Sequence, residues 1–210
     1  MILIGQYDSP FVRRVAIALR LYDLPFEHRP WSVFGEGERI AAFNPLRRVP
    51  TLVLDSGEVV IESSAILDHL DDVVGPSRAM IAHSGDLRRR ALKICALATG
   101  MADKAVSMVY EQVLHQATSA QWMERCQTQI AAVLDALEAD RATRPERHWF
   151  GDVIGHADIA VACALRFIQD AHQGSFDEKR WPALKTHAAS CEALPVFQQI
   201  AQPFIPPRRG

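Results

Sequence analysis

The chain has 210 residues, enough to bury a sizeable core and to make one large or two small domains. Hydrophobic residues are 49% and charged ones 23%, and 23 basic against 25 acidic side chains leave a formal charge of −2, so the chain lacks the basic excess that selects nucleic acid or an anionic membrane. No apolar run approaches the ~18 residues of a spanning helix, the N-terminus has no basic start of a signal peptide, and Cys95, Cys126, Cys163 and Cys191 show neither C-x-x-C nor metal spacing, which predicts a cytoplasmic protein with reduced core thiols and no metal.

Residues 2–7 form a short apolar run that reads as a first strand and ends at Asp8-Ser9-Pro10. Val12, Val15, Ala16 and Leu19 then recur at helical spacing, with Arg13, Arg14 and Arg20 between them. Ser9 followed by Pro10 has the form of an N-cap and a first helical position. Residues 26–31 read as a second strand and 32–42 as a polar loop with one helical turn. Residues 51–54 and 59–61 flank Asp55-Ser56-Gly57-Glu58, a hairpin signal, and a helix starts over 63–70. This order suits a small mixed sheet with helices on its faces, its first two strands parallel because a crossover joins them.

Composition shifts around Gly75-Pro76-Ser77, which divides the chain into a domain over 1–76, a linker over 77–86 and a helical domain over 87–210. Helices are expected over 87–116, 120–139 and 158–171. The last is apolar nearly all round and belongs at the centre of a bundle. Pro182 and Pro195 open two short helices, over 182–187 and 195–201, and the tail over 203–210 reads as irregular. The basic run Arg88-Arg89-Arg90 reads as a solvated or interface-facing helix start, and the eight histidines show no metal-ligand spacing.

Two segments carry chemistry. In Asn44-Pro45-Leu46-Arg47-Arg48-Val49-Pro50-Thr51-Leu52 a proline stands at the mouth of a strand, where it turns the chain because it cannot join a central ladder. That turn leaves the Val49 N–H and C=O free to pair with another extended backbone. About twelve residues on, Ser63 offers a hydroxyl and helix-N-terminal amides to a carboxylate, and Glu62 offers a seat for an ammonium group. A short peptide with a free amino acid end satisfies all three. Plainer readings of the same residues stay open: Ser9 and Glu62-Ser63 as helix caps, Arg48 as a solvated loop residue, and aromatic and methionine side chains as core.

Together with Ser9-Pro10-Phe11-Val12-x-Arg14-Val15 and with Phe150-Gly151 through Ala157-Asp158, these segments resemble the glutathione S-transferase superfamily over nearly the whole chain. The likeness is to its serine-type, tau- and zeta-like forms and their bacterial relatives. The resemblance implies a thioredoxin-like α/β domain followed by an all-helical domain, commonly paired as a homodimer. It implies glutathione as co-substrate, conjugated to small hydrophobic electrophiles in detoxification. Residue by residue, Ser9 matches the donor to the glutathione sulfur. Val49 matches the backbone partner of the cysteinyl unit ahead of a cis proline, here Pro50. Glu62 and Ser63 match the pair holding the γ-glutamyl end. Arg48 is placed to meet the glycyl carboxylate. Phe11 falls in the glutathione-binding set and also, with Trp31, Phe34, Met101, Met108 and Tyr110, in a candidate apolar second-substrate pocket.

Tyr7 competes with Ser9 for the catalytic role, since other classes use a tyrosine at that strand end. Asp158 reads as a buried capping carboxylate, and Gly155 stands where the family's capping element usually has Ser or Thr. Thiol-disulfide chemistry needs a cysteine at the first helix start, and none precedes Cys95. A non-catalytic glutathione- or partner-binding protein of the same fold is the remaining alternative.

Overall fold

Residues 1–207 are described in the computed structural model. The first unit contains β1 (Ile2–Ile4), α1 (Pro10–Leu21), β2 (Glu27–Arg29), α2 (Gly37–Ala41), β3 (Thr51–Val53), β4 (Val59–Ile61) and α3 (Ser63–Val74). Its sheet runs β2-β1-β3-β4. β1 and β2 are parallel, with Ile2 opposite Glu27, as a crossover through α1 requires. The pairs β1–β3 and β3–β4 are antiparallel.

The first two strands are shorter than the sequence predicts. β1 stops at Ile4 because the chain turns at Gly5, which sits at φ 128°. A Cβ there would lie 2.5 Å from Val12 Cγ2 and 2.8 Å from Val49 Cβ, so only glycine lets α1 and the Val49 loop close on the strand end. β2 stops at Arg29, ahead of Pro30, whose missing N–H cannot extend the ladder.

Irregular chain over 75–84 leads to α4 (Gly85–Leu114), α5 (Ala120–Ala142), α6 (His156–Ala171), α7 (Pro182–Glu192) and α8 (Pro195–Gln199). Residues 203–207 are irregular as expected, and the last part of that tail, 208–210, lies outside the described residues. α6 is buried on nearly every face and packs against α1, α4 and α7. One apolar cluster fills the helical unit around Met101, Leu134, Trp149 and Leu165. Another runs through the boundary between the units, joining Val15 and Leu19 of α1 to Ile66 of α3 and to Ile159 and Cys163 of α6. The two units therefore share a continuous core.

That shared core buries Arg13 and Arg14, which the spacing of α1 places between its apolar positions; each is only 3% exposed. Arg13 pairs with Glu192 at 2.5 Å and donates to the carbonyls of Ile200 at 2.8 Å and Phe197 at 3.0 Å. Arg14 keeps its Nε and Nη1 without a hydrogen-bond partner among the described residues. A second polar tie crosses the boundary at Asp71, which accepts from the Tyr22 hydroxyl and meets His156 Nε2 at 3.0 Å.

The N-terminus of α6 explains Gly155. A Cβ at that residue would come within 3.0 Å of the Met80 carbonyl, which already accepts the His156 N–H. Asp158 supplies the capping half that glycine leaves in place, accepting from the Gly155 N–H at 2.9 Å and the Trp149 N–H at 2.8 Å.

Candidate functional site

Ser9 is the N-cap of α1. Its Oγ accepts from the Val12 N–H at 3.4 Å, and its carbonyl accepts from the Arg13 N–H at 2.9 Å. The hydroxyl proton remains free to donate, beside the positive end of the helix. Cap and donor are thus compatible uses of one side chain.

Across from it, the loop before β3 is stapled from within. The buried Asn44 donates through Nδ2 to the Arg48 carbonyl at 3.0 Å and to Thr51 Oγ1 at 3.2 Å, and its Oδ1 accepts from the Leu46 N–H at 3.0 Å. Thr51 Oγ1 donates to the same Arg48 carbonyl at 3.1 Å. The Val49–Pro50 bond is cis. Val49, held against Gly5, leaves its own N–H and C=O without partners among the described residues. A free main-chain donor and acceptor in a rigid loop suit another extended backbone.

Glu62 stands at the N-cap position of α3 at φ 66°, a rare conformation for a non-glycine residue, yet its side chain makes no capping bond. It turns instead to Arg48, 3.3 Å away, while a second Arg48 nitrogen lies 3.8 Å from Asp103 of α4. All three side chains are about half exposed, at 53%, 52% and 53%, so these pairs are weak and open readily to a ligand. Ser63, at the first position of α3, is buried, and its hydroxyl has no partner among the described residues.

Ser9, Phe11, Trp31, Phe34, Arg48, Val49 and Tyr110 meet at one cleft of about 560 Å³ between the sheet unit and the helical unit. Pro50, Glu62 and Ser63 are not among its lining residues; Glu62 joins its edge through Arg48. The Phe34 and Tyr110 rings pack 5.0 Å apart, and burial pushes the Tyr110 phenol above its ordinary range. Tyr7 does not line the cleft. It stacks on His28 with centroids 3.9 Å apart, and its N–H donates to Gln202.

Met101 and Met108 correct the sequence reading. Neither lines the cleft; both are buried in the helical core, Met108 beside a separate cavity of about 320 Å³. Residues 101, 105 and 108 of α4 form its core stripe, whereas Asp103, Val106 and Tyr110 share the stripe that faces the cleft. Two residues on a helix that are two apart, such as Met108 and Tyr110, do not share a face, and that spacing was available in the sequence. The cleft also takes Asp8, Asp103, Val106, Val109, Phe167 and the tail from Phe204 to Pro207, none of which the motifs mark. Burial pushes the Asp8 carboxyl up, against the lowering hydrogen bond from the Ser9 backbone. Burial likewise raises Asp103, with Arg48 pulling it down and Glu62 adding to the rise.

Residues 3–78 match the family model for the glutathione S-transferase N-terminal domain, and residues 120–190 match that for the glutathione S-transferase C-terminal domain. Among curated relatives, the uncharacterized GST-like protein YibF of Escherichia coli is 31% identical over 169 residues, covering 80% of this chain and 82% of the relative. Maleylacetoacetate isomerase of Pseudomonas aeruginosa is 29% identical over 211 residues, covering 95% and 94%. Among solved structures, a glutathione S-transferase from Methylobacterium radiotolerans in complex with glutathione sulfonate aligns with a TM-score of 0.88 at 27% identity, covering 97% of each chain.

Proposed function

The chain belongs to the glutathione S-transferase superfamily, and on that premise we propose that it conjugates glutathione, as its thiolate, to small hydrophobic electrophiles in the cleft at Ser9. The observation that carries this reading is the free Val49 main chain in the same cleft as the capped N-terminus of α1. Val49 pairs with the cysteinyl unit of glutathione in an extended conformation, which delivers the sulfur to Ser9. Glu62 takes the ammonium of the γ-glutamyl end, and the Ser63 hydroxyl with the first-turn amides of α3 takes its carboxylate. Arg48 leaves its two weak ion pairs for the glycyl carboxylate.

A free thiol has a pKa near 8.5, so the anion must be favoured for attack at neutral pH; each unit of lowering corresponds to about 1.4 kcal/mol. Ser9 supplies part of that by donating its proton into a hydrogen bond to the sulfur, and the α1 N-terminus adds its dipole. The thiolate then attacks the electrophilic carbon. The C–S bond forms as the leaving group departs with its electron pair, or as that pair moves onto a conjugated acceptor.

The aromatic and aliphatic wall from Phe11, Phe34, Val106 and Tyr110 holds the electrophile. The four free, buried cysteines fit a reducing, cytoplasmic setting. Exposed Val73, Leu87 and Leu92, on α3 and α4, support association as a homodimer, which light scattering would measure.

A second reading, a glutathione-dependent isomerase, is favoured by the 29% identity with maleylacetoacetate isomerase across nearly the whole chain. Its substrate type is a diacid, and the cleft's carboxylates at Asp8 and Asp103 weigh against that charge.

The test is a pair of substitutions. Ser9→Ala removes both the donor and the cap, whereas Ser9→Gly removes the donor and keeps a serviceable cap. Both should lower kcat/KM for a broad electrophile panel on the order of 100-fold, the usual loss of one anion-stabilising donor. Glutathione affinity by calorimetry should be retained in both. Full activity in Ser9→Gly would leave Ser9 as a cap alone. Glutathione binding with no turnover across the panel would favour the non-catalytic alternative.

A further inference from the structure

The geometry points to a charge preference at the second-substrate end of the cleft: an electrophile carrying a positive group on an apolar frame, selected by Asp103 with Asp8 on the same side of the balance. This rests on the transferase reading above. Among the described residues lining the cleft the ionisable charges are Asp8, Asp103 and Arg48, and Glu62 joins them at the edge. Three carboxylates therefore stand against one guanidinium, and Arg48 pairs with two of them, nearer Glu62, at 3.3 Å, than Asp103, at 3.8 Å. Lys104, next to Asp103 in sequence, lies over the Trp122 ring and is not a lining residue, although its charge also acts on Asp103. Arg208 and Arg209 lie outside the described residues, and the balance is that of the described residues.

Glutathione makes the imbalance larger. Its two carboxylates exceed its one ammonium, and the reactive form adds a thiolate. Once Arg48 turns to the glycyl carboxylate, Asp103 faces the second substrate without its ion-pair partner. Asp103 sits on the same face of α4 as Val106 and Tyr110, which wall the apolar end. The rings of Phe11, Phe34, Tyr110, Phe167 and Phe204 line the same space, and a cation gains wherever it meets a ring face. A cavity with aromatic walls and more carboxylates than cations among its described lining residues favours cations and disfavours anions, for reasons of charge.

The probes are three S-(4-substituted benzyl)glutathiones bearing trimethylammonium, its neutral isostere tert-butyl, or carboxylate, titrated into the full chain by calorimetry. The expected order is trimethylammonium tightest and carboxylate weakest. Asp103→Asn should shrink the cation-to-carboxylate affinity ratio on the order of 5-fold. Taking the ratio within each protein cancels any general damage from the substitution. Equal binding of the cationic and carboxylate conjugates, or an unchanged ratio in Asp103→Asn, would overturn the assignment.

Turnover is read separately, with the three corresponding benzyl chlorides and glutathione. There the thiolate attacks the benzylic carbon and chloride leaves with the C–Cl electron pair. Charge-ordered binding without turnover would sink the transferase reading and leave charge selection standing. Turnover without charge order would do the reverse.

Discussion

The two ends of the cleft are built on different principles. The proposed glutathione end is a short run of chain whose parts hold each other: Asn44 fixes the Arg48 carbonyl and Thr51, and Val49 rests on Gly5. What it offers is main chain and helix N-termini. The second-substrate end has no such internal order. Its wall comes from residue 11, residues 31–35, one stripe of α4, Phe167 and the tail, which meet only because α1, α4 and α6 pack together. A site that reads a backbone can be encoded in a motif. A site that reads shape and charge is assembled by the fold.

Substitutions on the two stripes of α4 sharpen this contrast most. Met101→Ala empties a fully buried position and should cost about 2–5 kcal/mol in urea denaturation, with the preference among electrophiles unchanged. Val106→Ala should cost little stability and shift electrophile KM values on the order of 10-fold. If Met101→Ala altered the preference as Val106→Ala does, the division of α4 into a core stripe and a cleft stripe would fail.

Asn44→Ala tests the other end. Removing a buried side chain with three hydrogen bonds should cost about 2 kcal/mol and leave the Val49 main chain poorly placed. Glutathione binding should weaken while the electrophile preference holds. A stable variant with normal glutathione affinity would mean that the loop does not need its staple. The smallest effect is expected for Glu62→Ala, about 10-fold weaker glutathione binding by calorimetry, equivalent to about 1.4 kcal/mol. No loss there would remove Glu62 from the γ-glutamyl site and return it to a partner of Arg48 alone.

The legible part of the fold was legible for local reasons. Ser9-Pro10 marks the start of α1 because a cap and a fixed φ need only adjacent residues. The β3–β4 hairpin follows from its turn residues, and the parallel pair from the crossover that joins it. The capping role of Asp158 was likewise visible three residues from the N-cap. The end of β2 at Pro30 was readable locally, but the length of β1 failed because a distant segment decided it. Nothing near Gly5 in sequence shows that Val49 closes on it, and that contact ends β1. The burial of Arg13 and Arg14 was not legible for the same reason: the spacing of α1 shows only that they lie between its apolar positions, and distant residues of α7 and α8 receive Arg13.

By itself, then, the sequence determined the order of elements, the caps of α1 and α6, the β3–β4 turn, and the loop proposed to hold glutathione with its free Val49 main chain, because each rests on backbone geometry and hydrogen bonds within a few residues. The tertiary structure alone decided which face of α4 meets the cleft, why Arg13 is buried against Glu192, and that Asp8 and Asp103 share a cavity with Phe204 of the tail. Those outcomes depend on side chains far apart in the chain, brought together by burial of apolar surface. That force is non-directional and leaves no fixed spacing to read.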